Sequence, residues 1–188
     1  ILAEALTLFS TRGYVGTSLA DIARASDISK AGLLHHYSSK DQLLAAVLDE
    51  RDRRTMSRLP GGDAGAEVAL DAWVEMVAHN QRHPDGVALY TAMSAAVIDA
   101  DHQAHPWFRQ HLMSAIAYLV DALERGKATG EVRADAPSEQ IARKLVALSD
   151  GLQVQWLCAR VDGGGDVDMR GVTAGVVADV KDRWLVRS

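Results

Sequence analysis

Between Leu2 and Leu48 the apolar residues recur at helical spacing in four short runs, each broken by a residue that caps or stops a helix. In ILAEALTLFSTRG, Leu2, Ala5, Leu6 and Phe9 form one stripe, and Gly13 is a candidate for a left-handed cap that stops it. TSLADIARAS follows, with Thr17 or Ser18 placed to cap it and Ser18 paired with Asp21 in a loose capping pattern. Leu19, Ile22 and Ala23 are its buried face. SDIS then breaks the chain, and Asp27 tolerates left-handed backbone there. Ser29 caps KAGLLHHY. Ser39 caps a fourth helix, with Gln42 three residues on to complete a capping box. That helix turns Leu43, Leu44, Val47 and Leu48 inward and is expected to run to about Arg58. A lone helix as short as KAGLLHHY is marginal in water. Packing must hold it, through Ile28, Leu33 and Tyr37, inside a compact three-helix unit.

Beyond this unit LPGGDAG, Leu59 to Gly65, reads as a loop or linker. Further helices are expected at about 66–82, 85–98, 106–126, 138–160 and 167–186. The breaks between them are HPDG, DADHQAH, TGEVRADAP and the glycine run DGGGD. Ala and Leu are abundant and β-branched alternation is scarce. The expected fold is all-α, with about nine helices and no strand: a three-helix N-terminal head and a larger C-terminal helical part.

Two short helices joined by a tight turn, the second capped and polar, form a helix-turn-helix. Its residue types suit duplex DNA. Ser29 and the first amides of the third helix can meet phosphate. Lys30 reaches phosphate or guanine acceptors. Ala31 and Gly32 are small enough for a close approach to a groove. His36 can donate to phosphate, whereas His35 is expected to pack inward. Lys40, at the start of the fourth helix, and Thr17 or Ser18, at the start of the second, are further phosphate candidates.

The run AEALTLFSTRGYVGTSLADIARASDISKAGLLHHYSSKDQLLAAVL resembles the DNA-binding domain of the TetR family of bacterial transcriptional regulators, over about residues 1–48. The linked cues are LF-x3-GY, TS-x2-DIA, SK-x2-L-x-HHY and SK-x2-LL. The resemblance implies a homodimer with two such heads on a helical effector domain, 49–188, where a small molecule shifts the heads out of register with a palindromic operator. The expected role is a ligand-responsive regulator, with repression as the expected mode. Two positions depart from the family pattern. Asp27 stands where the family usually has glycine, and Leu34 where it commonly has a phosphate-touching tyrosine. Leu34 is therefore expected to meet a thymine methyl or the core. The basic residues that often precede the first helix are also absent. The sequence opens at Ile1 without Met or a signal-like leader, so preceding residues are expected to be missing, which leaves room for a leading basic arm that the sequence itself does not decide.

The net charge of −5 resides wholly after residue 55, because residues 1–55 carry seven basic and seven acidic side chains. The molecule as a whole is therefore no unspecific sponge for nucleic acid. One cysteine, Cys158, rules out an internal disulfide framework and points to a reducing cytoplasm. It reads as a small buried apolar residue. No apolar run is long enough to span a membrane. His79 and His83 stand four apart, as in two-histidine metal sites, but only Asp85 is near to complete a set, so no metal or cofactor is expected. No nucleophile–base pair stands out, which weighs against an enzyme. The competing function is a small-molecule sensor or sequestering protein whose head no longer binds DNA.

Trp73, Met76, Tyr90, Met93, Trp107, Met113, Ile116, Tyr118 and Trp156 are candidates to line a largely apolar ligand cavity, with plain core packing as the alternative for each. The last two helices are apolar over much of their circumference, which a monomer's surface helix should not be. Leu145, Leu148 and Leu152, with the small residues Gly171, Ala174, Gly175 and Ala178, are the expected dimer interface, a four-helix bundle of two helices and their copies.

Overall fold

The computed structural model describes residues 1–94, 99–163 and 165–186. Among them are nine helices: α1 Leu2–Arg12, α2 Leu19–Ala25, α3 Lys30–His36, α4 Lys40–Met56, α5 Ala66–Gln81, α6 Pro84–Ser94, α7 His105–Thr129, α8 Ser138–Asp162 and α9 Met169–Trp184. The expected continuation of α6 over 95–98 lies outside the described residues. The only extended pairing among the described residues is one isolated antiparallel bridge, Val132 with Leu185.

The chain forms two compact units, Ile1–Arg54 with His83–Gln110, and Thr55–Arg82 with His111–Ser188. The grouping differs from a division at residue 48, because α6 and the start of α7 pack with the head. In the first unit α1 packs on α2 and α6, and α2 on α3. Ala5, Phe9, Ile22, Leu33, Leu43, Leu44, Val47, Leu48, Leu89, Tyr90 and Phe108 form one core. The Tyr90 and Phe108 rings lie 5.1 Å apart, and Trp107 stands edge-on to Phe108 at 5.0 Å. The Trp107 indole N–H donates to Asp49 at 2.9 Å. These aromatics extend the core that supports the short helices.

In the second unit α9 packs on α5 and α8. Leu70, Trp73, Leu119, Leu123, Leu145, Leu152, Trp156, Met169 and Val177 are buried. The Trp73 indole N–H donates to Ser149 Oγ at 3.1 Å, and that hydroxyl donates on to the Leu145 carbonyl at 2.9 Å. Exposed ion pairs flank the α5–α9 contact: Lys181 with Asp71 at 2.7 Å and Arg170 with Glu75 at 2.6 Å. The start of α5 has no side-chain cap of its own; Glu131, from the loop after α7, accepts the Ala66 and Glu67 amides at 2.9 Å each.

Several sequence expectations change here. Leu145 and Leu152 are 0% and 4% exposed, inside this protomer's own core. The exposed stripe of α8 is instead Ala147, Gly151, Val154 and Cys158, on the opposite side of the helix. Cys158 is exposed, not buried. Leu148 is half-buried. On α9, Gly171, Gly175 and Ala178 are exposed, whereas Ala174 is half-buried in a groove with Asp71, Val74 and Val177. His83 does not share a helix with His79, because α5 ends at Gln81 and His83 lies between it and the start of α6 at Pro84. Among the described residues no three His, Cys, Asp or Glu side chains come together as a metal site. No described helix is long and apolar enough to cross a membrane.

The cavity candidates divide between the units. Tyr90, Met93 and Trp107 belong to the core of the first unit. Trp73, Met76 and Trp156 are buried in the second, Ile116 is half-buried, and Met113 is 52% exposed. Buried polar atoms without a hydrogen-bond partner in the second unit include Tyr118 Oη and Gln153 Oε1.

Candidate nucleic-acid interface

The local chemistry that ends α2 sets the direction of α3. Asp27 has φ 53°, a left-handed conformation. Its amide donates to the Arg24 carbonyl at 3.2 Å, and the Ile28 amide to the Ala23 carbonyl at 3.0 Å. This pair of reversed bonds is the Schellman closure of a helix, with aspartate in the position glycine usually fills. The turn therefore keeps its geometry without the glycine. Ile28 then packs against the core and Ser29 opens α3, its hydroxyl accepting the Gly32 amide at 2.9 Å.

Leu33 is 0% exposed and Tyr37 packs against the same core. Burying a leucine side chain is worth about 1.5–3 kcal/mol, which accounts for a seven-residue helix that would not persist alone. The outward face of α3 carries Lys30, Ala31, Leu34, His35 and His36, all exposed. His35 does not pack inward as expected. It stands edge-on to His36, with the rings 5.7 Å apart. Leu34 is 39% exposed, so it faces solvent rather than the core. Gly32 is half-buried over its own cap, where a Cβ would meet Ser29 Oγ at 3.3 Å.

At the other end of the motif Ser18 caps α2 in a reciprocal box. Its hydroxyl accepts the Asp21 amide at 3.1 Å, and its amide donates to the Asp21 carboxylate at 3.1 Å. The Ser18 bonds, and after them Arg24, hold the Asp21 carboxyl below the usual carboxylate range. Ser18 is exposed. Thr17 is not: it is 1% exposed, with its hydroxyl against the carbonyls of Gly13 at 2.8 Å and Leu8 at 3.1 Å. A hydroxyl so placed staples α1 to the loop after it and does not present itself to a phosphate. The cap of α4 is also shifted from expectation. Ser39 accepts the Gln42 amide at 3.1 Å, but Gln42 reaches back to the Ser38 amide at 2.6 Å, not to that of Ser39.

Lys40 is half-buried. Its ammonium donates to the Tyr14 carbonyl at 2.9 Å and the Thr17 carbonyl at 3.1 Å. It also lies 4.3 Å from the centre of the Tyr14 ring. The Tyr14 hydroxyl donates to the Asp41 carboxylate. Burial, then the bond to Asp41 and its charge, push that hydroxyl well above the usual tyrosine range.

Sequence reasoning missed two residues here. Tyr14 lies in the GY cue, yet its partners are 26 and 27 residues away. Arg24 is exposed beside Asp27, Ser29 and Lys30 around one shallow depression. Its spacing of six residues before Lys30 gave no local signal, because the turn between them decides that they share a side.

Residues 1–47 match the family model described as bacterial regulatory proteins, tetR family. Over 172 residues the chain is 27% identical to the HTH-type transcriptional repressor AcnR of Corynebacterium diphtheriae, covering 89% of this chain and 82% of that one. It is 46% identical to IcaR of Staphylococcus epidermidis, a negative transcriptional regulator of a biofilm operon, over 43 residues that make up 23% of each chain. The fold is similar to a crystal structure of a TetR transcription regulator from Haloarcula marismortui, with a TM-score of 0.78, 22% identity, and coverage of 98% of both chains.

Proposed function

We propose a ligand-released repressor for this chain, which belongs to the TetR family of bacterial regulatory proteins and is a DNA-binding regulator. It works in the cytoplasm as a homodimer on a palindromic operator. Residues 1–48 read DNA, and residues 49–188 bind ligand and dimerise. Each protomer sets α3 in one of two successive major grooves, about 34 Å apart.

The observation that carries this reading is the division of α3. Leu33 is fully buried, while Lys30, Ala31, Leu34 and His36 form an exposed face behind the Ser29 cap. Lys30 offers a donor for phosphate or guanine, and Leu34 an apolar contact for a thymine methyl. His36 is an exposed donor for a backbone phosphate, whereas Ser18, though exposed, already gives its hydroxyl proton to the Asp21 carboxylate. The likeness to AcnR, a transcriptional repressor, supports repression as the mode.

Dimerisation is supported by apolar surface that stays exposed among the described residues. Val154 is 48% exposed, Val161 86% and Val172 44%. With Ala147, Gly151 and Gly175 they give α8 and α9 small, apolar outer faces, suited to close packing against a second copy. A ligand site in the second unit is supported by Trp73, Met76 and Trp156, with Tyr118 Oη and Gln153 Oε1 as buried polar atoms a ligand could satisfy. A ligand shifts the dimer off DNA only by its differential affinity for the released state.

The test is selection of bound duplexes from a random pool at about physiological salt, where phosphate-only binding is weak. The expected product is a palindrome with half-sites about one helical turn apart. Recovery of no common sequence would contradict the reading and leave a sensor with a non-functional head.

A further inference from the structure

We propose that Lys40 acts on DNA binding as a positioning residue, by clamping the corner between α1 and α2 to the start of α4, and not by neutralising a phosphate. The inference rests on the DNA-binding reading and assigns this lysine a role within it.

A lysine in the first turn of a helix is at the wrong end of the helix field, where cations are disfavoured. On α4 alone Lys40 is therefore misplaced. Its ammonium leaves α4 and is spent on the preceding loop. Two of its three protons point at the carbonyls of Tyr14 and Thr17, at 2.9 and 3.1 Å. The remaining side faces the Tyr14 ring, 4.3 Å to its centre. An ammonium has three donors, and with two committed to backbone carbonyls at most one is left for a phosphate.

Asp41, the next residue of α4, takes the other end of the same tyrosine by accepting its hydroxyl proton. Two successive α4 residues thus hold one tyrosine by its carbonyl, its ring face and its hydroxyl. Thr17, whose carbonyl is the second anchor, is itself fastened to Leu8 and Gly13 and directly precedes the Ser18 cap. The clamp fixes where α2 begins. Since α2 packs on α3, it also fixes how the helix-turn-helix is presented.

The test compares wild type, Lys40→Ala, Asp41→Asn and the double variant on the operator selected by the wild type, across salt concentrations, with circular dichroism as the folding check. A clamp predicts that each single change lowers affinity by about ten-fold, the scale of a lost charge-assisted hydrogen bond. It predicts that the double variant is no weaker than Lys40→Ala, because both break one unit. A phosphate contact predicts a salt slope lower by about 0.9 per head for Lys40→Ala, with Asp41→Asn neutral or favourable and the two effects additive. That result would overturn the proposal. Amide exchange in the free protein gives a second readout: Lys40→Ala should speed exchange at residues 18–22, and unchanged exchange there would also overturn it. If the wild type selects no duplex, the DNA-binding reading falls, while the exchange measurement still decides whether Lys40 holds the corner.

Discussion

Glu131 caps a helix that begins 65 residues before it: its carboxylate accepts the Ala66 amide at 2.9 Å, and the Glu67 amide at the same distance. A carboxylate is the right charge at the positive end of α5, and it satisfies two amides that have no partner inside the helix. The neighbouring Val186 amide donates to the Glu131 carbonyl at 2.8 Å, which ties the end of the chain after α9 to the same loop. One residue therefore joins α5, the loop after α7 and the segment after α9.

Removing that carboxylate should destabilise the protein without touching the DNA-facing surface. Glu131→Ala is expected to cost about 1–2 kcal/mol, the upper range for a lost helix cap. Urea unfolding checks this, read with binding to the selected operator at low temperature. A loss below about 0.3 kcal/mol would mean the cap contributes little beyond what water supplies.

The turn of the helix-turn-helix gives a second prediction. Asp27 sits at φ 53° in the place where glycine is usual. Asp27→Gly should leave stability within about 1 kcal/mol of wild type, since relief of left-handed backbone is offset by a more flexible unfolded chain. Asp27→Val should lose about 1–2 kcal/mol, because a branched side chain tolerates that conformation poorly. Thermal unfolding of the three proteins distinguishes these outcomes. Equal stability of the valine variant would show that the turn relaxes to another conformation.

Acid sensitivity of α4 is the third. Glu50 pairs with Arg53 at 2.8 Å and Arg54 at 2.6 Å. These bonds, Arg53 first, lower its carboxyl to about 2. A carboxylate with a depressed folded pKa contributes stability above its unfolded value, near 4.3, and loses it as pH falls through the folded value. Glu50→Gln should therefore show a shallower stability loss than wild type between pH about 4 and 2, and the same slope above pH 5. Identical acid limbs would mean that the exposed pairs do not persist in solution.

Local order was readable from the sequence because its causes are local. Ser18, Ser29 and Ser39 cap within three residues, and the stripes of α1 and α4 repeat every turn. Asp27 announced a left-handed turn, and the turn is there. What escaped is set by contacts distant in sequence. Nothing near Lys40 signals that its ammonium turns back to Tyr14, nor anything near Glu131 that it caps α5. Gly126 read as the end of a helix, yet α7 runs on to Thr129. It is glycine because a Cβ there would meet Val132 Cγ2 at 2.4 Å. The outer face of α8 was misread for a different reason. Leu145 and Leu152 on one side and Val154 and Cys158 on the other are all apolar, so hydrophobicity alone carries no phase for that helix.

The most direct test of the central claim is equilibrium binding of wild type and Lys30→Ala to the selected operator and to a scrambled duplex of equal length, at about physiological salt. Recognition through α3 predicts that the wild type prefers the operator by at least about 1,000-fold, and that Lys30→Ala loses about 1–3 kcal/mol of operator affinity while staying folded. Equal binding of the wild type to both duplexes, or a Lys30→Ala variant indistinguishable from it, would contradict the account.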